Sequence, residues 1–222
     1  MEAPPRDRPL TRKAVPLADR PRPSKALLVV AVVFAVAAAV SIAVFDQPVA
    51  RWISGYQRLA FWDQGLLVLE WGALLPVFTW AFAILLVVGM VVTLAVPRWR
   101  YLMPAWAFVA ATHLLSRIAM LEVKLATERM RPKAWLEQGG DTFLRELLNP
   151  AFPSGHVVSF ASLVIPTVVL FPRAKPLLLV VAYVMTARIV ANAHWVSDTL
   201  AAISLTCLVT WACAWVIRPL RG

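Results

Sequence analysis

Charged residues are scarce in this chain, at 15% of 222 residues, and the acidic ones are the scarcer sign, 12 against 22 basic. Soluble proteins carry about 25% charged residues, so a soluble globular protein is not expected. Cysteine is also rare. Cys207 and Cys213 both lie inside one apolar run, so neither a disulfide framework nor a thiolate metal site is indicated. Hydrophobic residues fill the chain instead, at 60%.

The basic excess, a formal net charge of +10, is placed in a way that argues against nucleic acid as a partner. Seven basic residues precede Ala26, and most of the others occupy short segments between long apolar runs. Integral membrane proteins distribute their charge in this way. We therefore expect the lipid bilayer, and no nucleic acid, to surround or contact the chain.

Six apolar segments are predicted to cross a membrane, because each approaches the ~20 residues that a spanning helix needs. They are residues 26–45, 71–96, 101–121, 157–171, 176–196 and 199–217. The predicted fold is all-α, a polytopic integral membrane protein of about six transmembrane helices in a bundle. Residues 1–25, rich in proline and basic residues, are predicted to be a disordered cytoplasmic tail, and residues 26–222 the membrane domain.

Orientation is predicted from the basic segments, because short basic loops remain in the cytoplasm. Counting six spans puts both termini in the cytoplasm and leaves two longer segments, 46–70 and 122–156, on the other side. Aromatic and basic residues in the first are typical of a helix lying in the membrane interface. The second is an exception to the positive-inside rule and needs a functional reason, since it contains Lys124, Arg129, Arg131, Lys133 and Arg145.

Two motifs lie in or beside this second segment. Lys124 and Arg131 are seven residues apart, which predicts a cationic pair on one helix face, although a basic membrane-flanking stretch has the same spacing. The tetrapeptide 153–156, Pro-Ser-Gly-His, directly precedes an apolar run. Ser154 and the N–H groups of Gly155 and His156 are therefore expected at a helix N-terminus, which binds anions and phosphate especially.

A third motif lies between the last two predicted spans. His194 and Asp198 are four residues apart, so the carboxylate can hold one ring nitrogen and leave the lone pair of the other directed outward. Histidine nucleophiles are oriented in this way. Arg188, six residues before His194, does not share its helix face, which predicts a bend or helix end near Asn192. All three motifs fall at the same non-cytoplasmic surface.

Together the motifs resemble the tripartite signature of the type-2 phosphatidic acid phosphatase superfamily. In the first motif, Lys124 is followed after six residues by Arg131 and Pro132, and the second motif is 153–156. In the third, Arg188 is followed after five residues by His194, and His194 after three residues by Asp198. One departure is Ala187, where the family often has serine.

The resemblance implies roles for these residues. His194 would attack phosphorus and form a phosphohistidine, Asp198 would orient it, and His156 would protonate the leaving oxygen and later activate water. The phosphoryl oxygens would be held by Lys124, Arg131, Arg188, Ser154 and the Gly155 amide. Three cations and a helix N-terminus can supply the charge that phosphoryl transfer needs. No carboxylate cluster suited to Mg²⁺ is evident, so no metal or other cofactor is expected.

The predicted function is hydrolysis of a lipid phosphomonoester or diphosphate, with undecaprenyl diphosphate preferred over lipid A, phosphatidylglycerol phosphate and phosphatidate. We expect a bacterial inner membrane enzyme whose active site faces the periplasm or exterior. Two other classes stay open. One is a vanadium haloperoxidase-like enzyme, against which the membrane spans argue, and the other is a nonenzymatic transporter.

Overall fold

The computed structural model describes residues 24–56, 71, 78–139, 141–142 and 149–216. These residues form α-helices joined by short turns and contain no β-strand, so the predicted all-α fold is confirmed. The helices are α1 (Lys25–Val44), α2 (Asp46–Tyr56), α3 (Phe78–Ala95), α4 (Met103–Thr127), α5 (Pro132–Gln138), α6 (Gly155–Leu170), α7 (Leu178–Val190) and α8 (Val196–Val216). Two 3₁₀ turns, Pro97–Leu102 and Pro172–Leu177, precede α4 and α7. Residues 1–23, which make up most of the predicted tail, lie outside the described part of the chain.

Among the described residues, three helical stretches are long and apolar enough to cross a membrane: α1, the region Pro97–Gln138 that contains α4, and α8. Helix α6 is apolar but shorter. Helix α7, with 13 residues, is about 20 Å long and needs the preceding 3₁₀ turn, about 12 Å more, to approach the ~30 Å of a bilayer core. These helices belong to a membrane protein, and the count of about six spans stays a prediction.

The predicted placement of Lys124 and Arg131 on one helix is wrong. Helix α4 ends at Thr127, and Glu128 takes a left-handed backbone conformation with φ 43°. Arg131 then adopts an extended conformation as the N-cap of α5, because the residue before proline is disfavoured in the helical region. The two cations therefore come from two different elements.

Helix α8 lies at the centre of the bundle and packs against α1, α4, α6 and α7. Small buried residues, Ala31, Ala161 and Ala202, allow these helices to approach closely, as is typical of packing within membranes. Ser204 Oγ in α8 donates a hydrogen bond of 2.8 Å to the Ala31 carbonyl in α1. The interhelical contacts thus include small residues and at least one hydrogen bond between helices.

Valine and leucine side chains cover the outer faces of α1 and α3. Val29, Val32 and Val36 are about 60% exposed, and Val87 in α3 is 61% exposed. A continuous apolar surface of this kind would be unfavourable in water and is suited to contact with lipid tails. The exposed apolar faces agree with the lengths of the helices in indicating a membrane environment.

The three motifs meet at one end of the bundle, which we call the motif end. The C-terminal ends of α4 and α7 and the N-terminal ends of α6 and α8 lie there, since Ser154 N–H donates to the Asp198 carbonyl at 3.0 Å and Gly155 lies beside Lys124. The two 3₁₀ turns therefore lie at the opposite end, which we call the turn end. The turn end contains Arg98, Arg100, Arg173 and Lys175.

Candidate active site

His194 and Asp198 form a buried pair at the start of α8. His194 Nδ1 lies 3.3 Å from Asp198 Oδ2, and the Trp195 N–H donates to the same oxygen at 2.9 Å. Since Asp198 holds the Nδ1–H, the lone pair of the imidazole is on Nε2. Nε2 is buried and has no hydrogen-bond partner among the described residues. A buried polar atom without a partner calls for an explanation, and a bound ligand supplies one.

A break between α7 and α8 places His194 at the motif end. Helix α7 ends at Val190, and Asn192 has a left-handed backbone with φ 48°, as the spacing between Arg188 and His194 predicted. The Arg188 carbonyl accepts the N–H groups of Ala193 and His194, both at 3.2 Å. Arg188 itself lies in the last turn of α7, and its side chain is buried.

The N-terminus of α6 forms a second wall of the site. Ser154 is its N-cap and is fully buried, and its Oγ has no hydrogen-bond partner among the described residues. Gly155 and His156 occupy the first helical positions, where backbone N–H groups lack acceptors within the helix. A Cβ added to Gly155 would lie 3.4 Å from Met120 Sδ and 3.9 Å from Lys124 Cε. The second motif is therefore in direct contact with the first.

Lys124 and Arg131 both hold the segment 149–151. Lys124 Nζ donates to the Pro150 carbonyl and, at 3.5 Å, to the Ala151 carbonyl. Arg131 Nε donates to the Asn149 carbonyl at 3.1 Å, and another guanidinium nitrogen donates to Asn149 Oδ1 at 2.7 Å. The two cations are thus oriented by backbone and side-chain oxygens of this segment.

The electrostatics of His194 indicate how the cations converge. Its pKa is lowered well below the ordinary value, first by burial and then by the positive charges of Arg131, Arg188 and Lys124. The nearby Ala151 backbone carbonyl raises the pKa, but by less than these causes lower it. The imidazole is consequently neutral at pH 7, with three positive charges close enough to affect it. A neutral imidazole with a free lone pair, surrounded by cations, can bind an electrophilic anion such as a phosphoryl group.

Two charged residues at the site were not assigned a role from the sequence, Arg129 and Asp46. Arg129 is fully buried. Its Nη1 atom lies 2.8 Å from Asp198 Oδ1, and its Nη2 atom lies 2.8 Å from Asp46 Oδ2. Both carried a signal. Arg129 is basic in a segment where basic residues are disfavoured, and Asp46 is an acidic residue adjoining an apolar run, where charge marks function by default.

Helices α2 and α5 pack together beside the start of α8. The rings of Trp135 and Trp195 pack edge to face with centroids 5.5 Å apart, and Trp195 Nε1 donates to the Met130 carbonyl at 2.7 Å. Helix α2 occupies the first part of the predicted interfacial segment 46–70, whose residues 57–70 lie outside the described part of the chain. Asp198, in the first turn of α8, is fully buried.

Metal ligands are not clustered in the described residues, where no group of three or more His, Cys, Asp or Glu side chains is placed to hold an ion. The polar groups nearest to His194 Nε2 instead include the cations Lys124, Arg131 and Arg188 and the N-terminal amides of α6. Such a set is chemically suited to an anion with several oxygens.

Comparison with known proteins identifies the family. A family model described as the PAP2 superfamily matches residues 101–221, more than half of the chain. Neither a curated protein nor a solved structure gives a significant match. The matched range contains all three motifs, whereas α1, α2 and Asp46 lie before it. Members of this superfamily are generally phosphatases that act on phosphate esters. The chain belongs to the PAP2 superfamily, that of the type-2 phosphatidic acid phosphatases.

Proposed function

We propose that this protein is a membrane-embedded lipid phosphatase that acts through a phosphohistidine on His194. The observation that carries the proposal is the state of that imidazole. Nδ1 is held by Asp198, Nε2 is buried without a hydrogen-bond partner among the described residues, and three cations lie within electrostatic range. A nucleophile for phosphoryl transfer needs each of these features.

The first chemical step forms a bond between His194 Nε2 and phosphorus and breaks the bond from phosphorus to the leaving oxygen. His156, in the first turn of α6, gives its proton to that oxygen as it departs. Asp198 stabilises the positive charge that develops on the imidazole. Lys124, Arg131 and Arg188 stabilise the phosphoryl oxygens, which replace the carbonyl oxygens of the segment 149–151 as acceptors for Lys124 and Arg131.

The second step hydrolyses the phosphohistidine. His156 takes a proton from water, the water oxygen attacks phosphorus, and the Nε2–P bond breaks to release inorganic phosphate. Ser154 Oγ, buried and without a partner among the described residues, donates to a phosphoryl oxygen in both steps together with the Gly155 N–H. This cycle requires no metal ion or cofactor, because the protein's own cations supply the positive charge.

The substrate proposed is a lipid phosphate whose headgroup lies at the membrane surface while its chains stay among the helices. The exposed apolar faces of α1 and α3 support this choice. Undecaprenyl diphosphate is the preferred substrate, followed by lipid A, phosphatidylglycerol phosphate and phosphatidate. The basic residues of the turn end support a cytoplasmic position for that end, and thus a motif end that faces the periplasm or exterior of a bacterial inner membrane.

Orientation can be measured with topology reporters. A reporter fused after Gly222 should behave as cytoplasmic, because α8 begins at the motif end and runs away from it. A reporter at this position that behaves as periplasmic would reverse the proposed orientation.

The function is tested by measuring phosphate release from the four lipids by the purified protein, with detergent and salt held fixed and His194→Ala as the matched control. Release should occur with at least one lipid, survive excess EDTA and be inhibited by vanadate, which mimics five-coordinate phosphorus. Loss of activity with EDTA and rescue by Mg²⁺ or Zn²⁺ would contradict the mechanism. Halide oxidation by the vanadate-loaded protein, without phosphate release from any lipid, would favour the haloperoxidase alternative.

A further inference from the structure

Three charged side chains form a continuous buried chain behind His194. The guanidinium of Arg129 lies between two carboxylates, 2.8 Å from an oxygen of Asp198 on one side and 2.8 Å from an oxygen of Asp46 on the other. Each of these side chains is at most 1% exposed. The other oxygen of Asp198 faces His194. The order of groups is therefore Asp46, Arg129, Asp198, His194.

Arg129 alone would work against the role of Asp198. A guanidinium in direct contact with a buried carboxylate cancels most of its charge, since few solvent dipoles screen the pair. Asp198 would then still accept the hydrogen bond from His194, but it would do little to stabilise positive charge on the imidazole. The second carboxylate changes this balance. With Asp46 present, the three side chains carry a net charge of −1 instead of 0.

Asp46 is held firmly enough to serve this purpose. Its Oδ1 accepts hydrogen bonds from Ser41 Oγ at 2.8 Å and from the Ser197 N–H at 3.0 Å. Its Oδ2 accepts from Ser197 Oγ at 2.5 Å in addition to Arg129. Both oxygens are thus occupied, and Ser197 ties the carboxylate to the first turn of α8, beside Asp198. A buried charge that is fully hydrogen-bonded is a positioned charge.

The position of Asp46 in the chain separates it from the three motifs. It begins α2, directly after α1, and lies outside the family match over residues 101–221. The corner between α1 and α2 therefore brings a negative charge to a site whose other charged residues, among those the structure describes, come from the matched region.

We propose that Asp46 is a positioning residue that counterbalances Arg129, so that Asp198 keeps the negative charge that acts on His194 during phosphoryl transfer. The inference rests on the proposed function, since it assumes that His194 becomes positively charged when it is phosphorylated. Asp46 does not touch the substrate in this scheme and acts only through Arg129 and Asp198.

The test is a charge cycle with the variants Asp46→Asn, Arg129→Gln and the double variant. The three side chains have a net charge of −1 in the wild type, 0 in Asp46→Asn, −2 in Arg129→Gln and −1 again in the double variant. The measurement is single-turnover formation of ³²P-phosphohistidine with enzyme in excess. Its amplitude reports the folded fraction, whereas its rate constant does not depend on that fraction.

Asp46→Asn should lower the rate constant by about tenfold or more, a rise of about 1.4 kcal/mol in the barrier. The double variant should be faster than either single variant, because the net charge is restored and neither an unpaired arginine nor a carboxylate pair remains buried. Arg51→Gln is the control in the same helix. Arg51 is exposed, and its guanidinium stacks on the Trp135 ring without joining the buried charges. The rate constant of Arg51→Gln should equal that of the wild type.

A wild-type rate constant in Asp46→Asn, or a double variant as slow as the product of the two single losses, would overturn the inference while the proposed function stands. A reduced amplitude with an unchanged rate constant would also overturn it, because that result describes a purely structural role. If Asp46→Asn does not fold, the double variant must still be faster than Arg129→Gln. A wild-type protein that forms no phosphohistidine overturns the proposed function, and this inference with it.

Discussion

Both ends of the helical bundle are rich in basic residues, but the two sets differ in burial. At the turn end, Arg98, Arg100, Arg173 and Lys175 are all exposed. Arg98 stacks on the neighbouring Trp99 ring, and Arg100 donates to the Leu94 carbonyl, so their contacts are local. At the motif end, Arg129 and Arg188 are buried, and Arg129 pairs with carboxylates far away in the sequence.

Arginine therefore has two different uses in this protein. An exposed arginine in a short turn costs little and resists translocation, so it determines orientation. A buried arginine is tolerated only with partners or a ligand, so it indicates a site. Variants at the motif end should therefore change the chemistry, whereas variants at the turn end should not.

The largest effect is expected from the nucleophile at the motif end. His194→Ala removes the one protein atom proposed to bond to phosphorus, so neither turnover nor a covalent intermediate should remain. The measurement is acid-labile, base-stable ³²P incorporation from labelled substrate. Label retained in His194→Ala would refute the assignment.

Replacing the proposed acid–base residue should be less severe. His156→Ala should lower turnover by roughly 10²–10⁴-fold, with a smaller loss on p-nitrophenyl phosphate, whose leaving group needs little protonation. The variant should still form phosphohistidine and hydrolyse it slowly. Asp198→Asn should lie between the two histidine variants, because the imidazole remains but can adopt the wrong tautomer. Complete absence of label in His156→Ala would mean that His156 is needed for binding or for forming the intermediate.

Arginines at the two ends should differ sharply when each is replaced by glutamine. Arg188→Gln should lower kcat/KM by about 10²–10³-fold, the loss typical of removing one group that stabilises a transition-state oxyanion. Arg173→Gln, at the turn end, should leave it unchanged. Equal losses in the two variants would contradict the separation of roles between the ends.

The acid dependence of stability should also distinguish the motif end. Burial and nearby cations lower the pKa of His194 below its ordinary value of 6.5, so the unfolded chain binds a proton more readily than the folded one. The contribution of His194 to the stability of the fold is therefore complete above pH 6.5 and is lost as the pH falls below that value. Wild-type Tm should therefore fall between pH 7 and pH 5 more steeply than that of His194→Asn. If Tm falls with pH to the same extent in the wild type and in His194→Asn, the buried imidazole of His194 is not kept neutral by the fold.

The same pKa predicts the pH profile of catalysis. Because the nucleophile stays neutral in mild acid, any acid limb of kcat/KM due to His194 should lie below pH 6.5. An alkaline limb of kcat/KM that is lost in His156→Ala would belong to His156, which must be protonated when the leaving oxygen departs.

The smallest effect is expected at Gly155. A Cβ there would meet Met120 and Lys124 only at ordinary contact distances, so Gly155→Ala should fold normally and gain a little stability from the better helix former. The added methyl group would lie beside the proposed phosphate site and should raise KM without a large change in kcat. Unchanged KM would place the phosphate elsewhere at the motif end.

Much of the helical framework was predictable. Residues 26–45 were expected as a span and the helix is Lys25–Val44, while residues 199–217 correspond to Val196–Val216. Long apolar runs determine these helices locally. The joint placement of Lys124 and Arg131 was not predictable, because a single left-handed residue, Glu128, ends α4 and makes helical spacing irrelevant beyond it.

By itself, the sequence determined that the chain is helical and apolar, that its basic residues are concentrated in short segments, and that three motifs resembling the superfamily signature occur in order. Local periodicity, length and motif spacing carry that information. Only the tertiary structure decided which distant groups meet. Asp46 and Arg129 are 83 residues apart, and Arg129 and Asp198 are 69 apart, so no local pattern relates them. They pair because α1 and α4 both pack against α8, and because burial makes an unpaired charge costly.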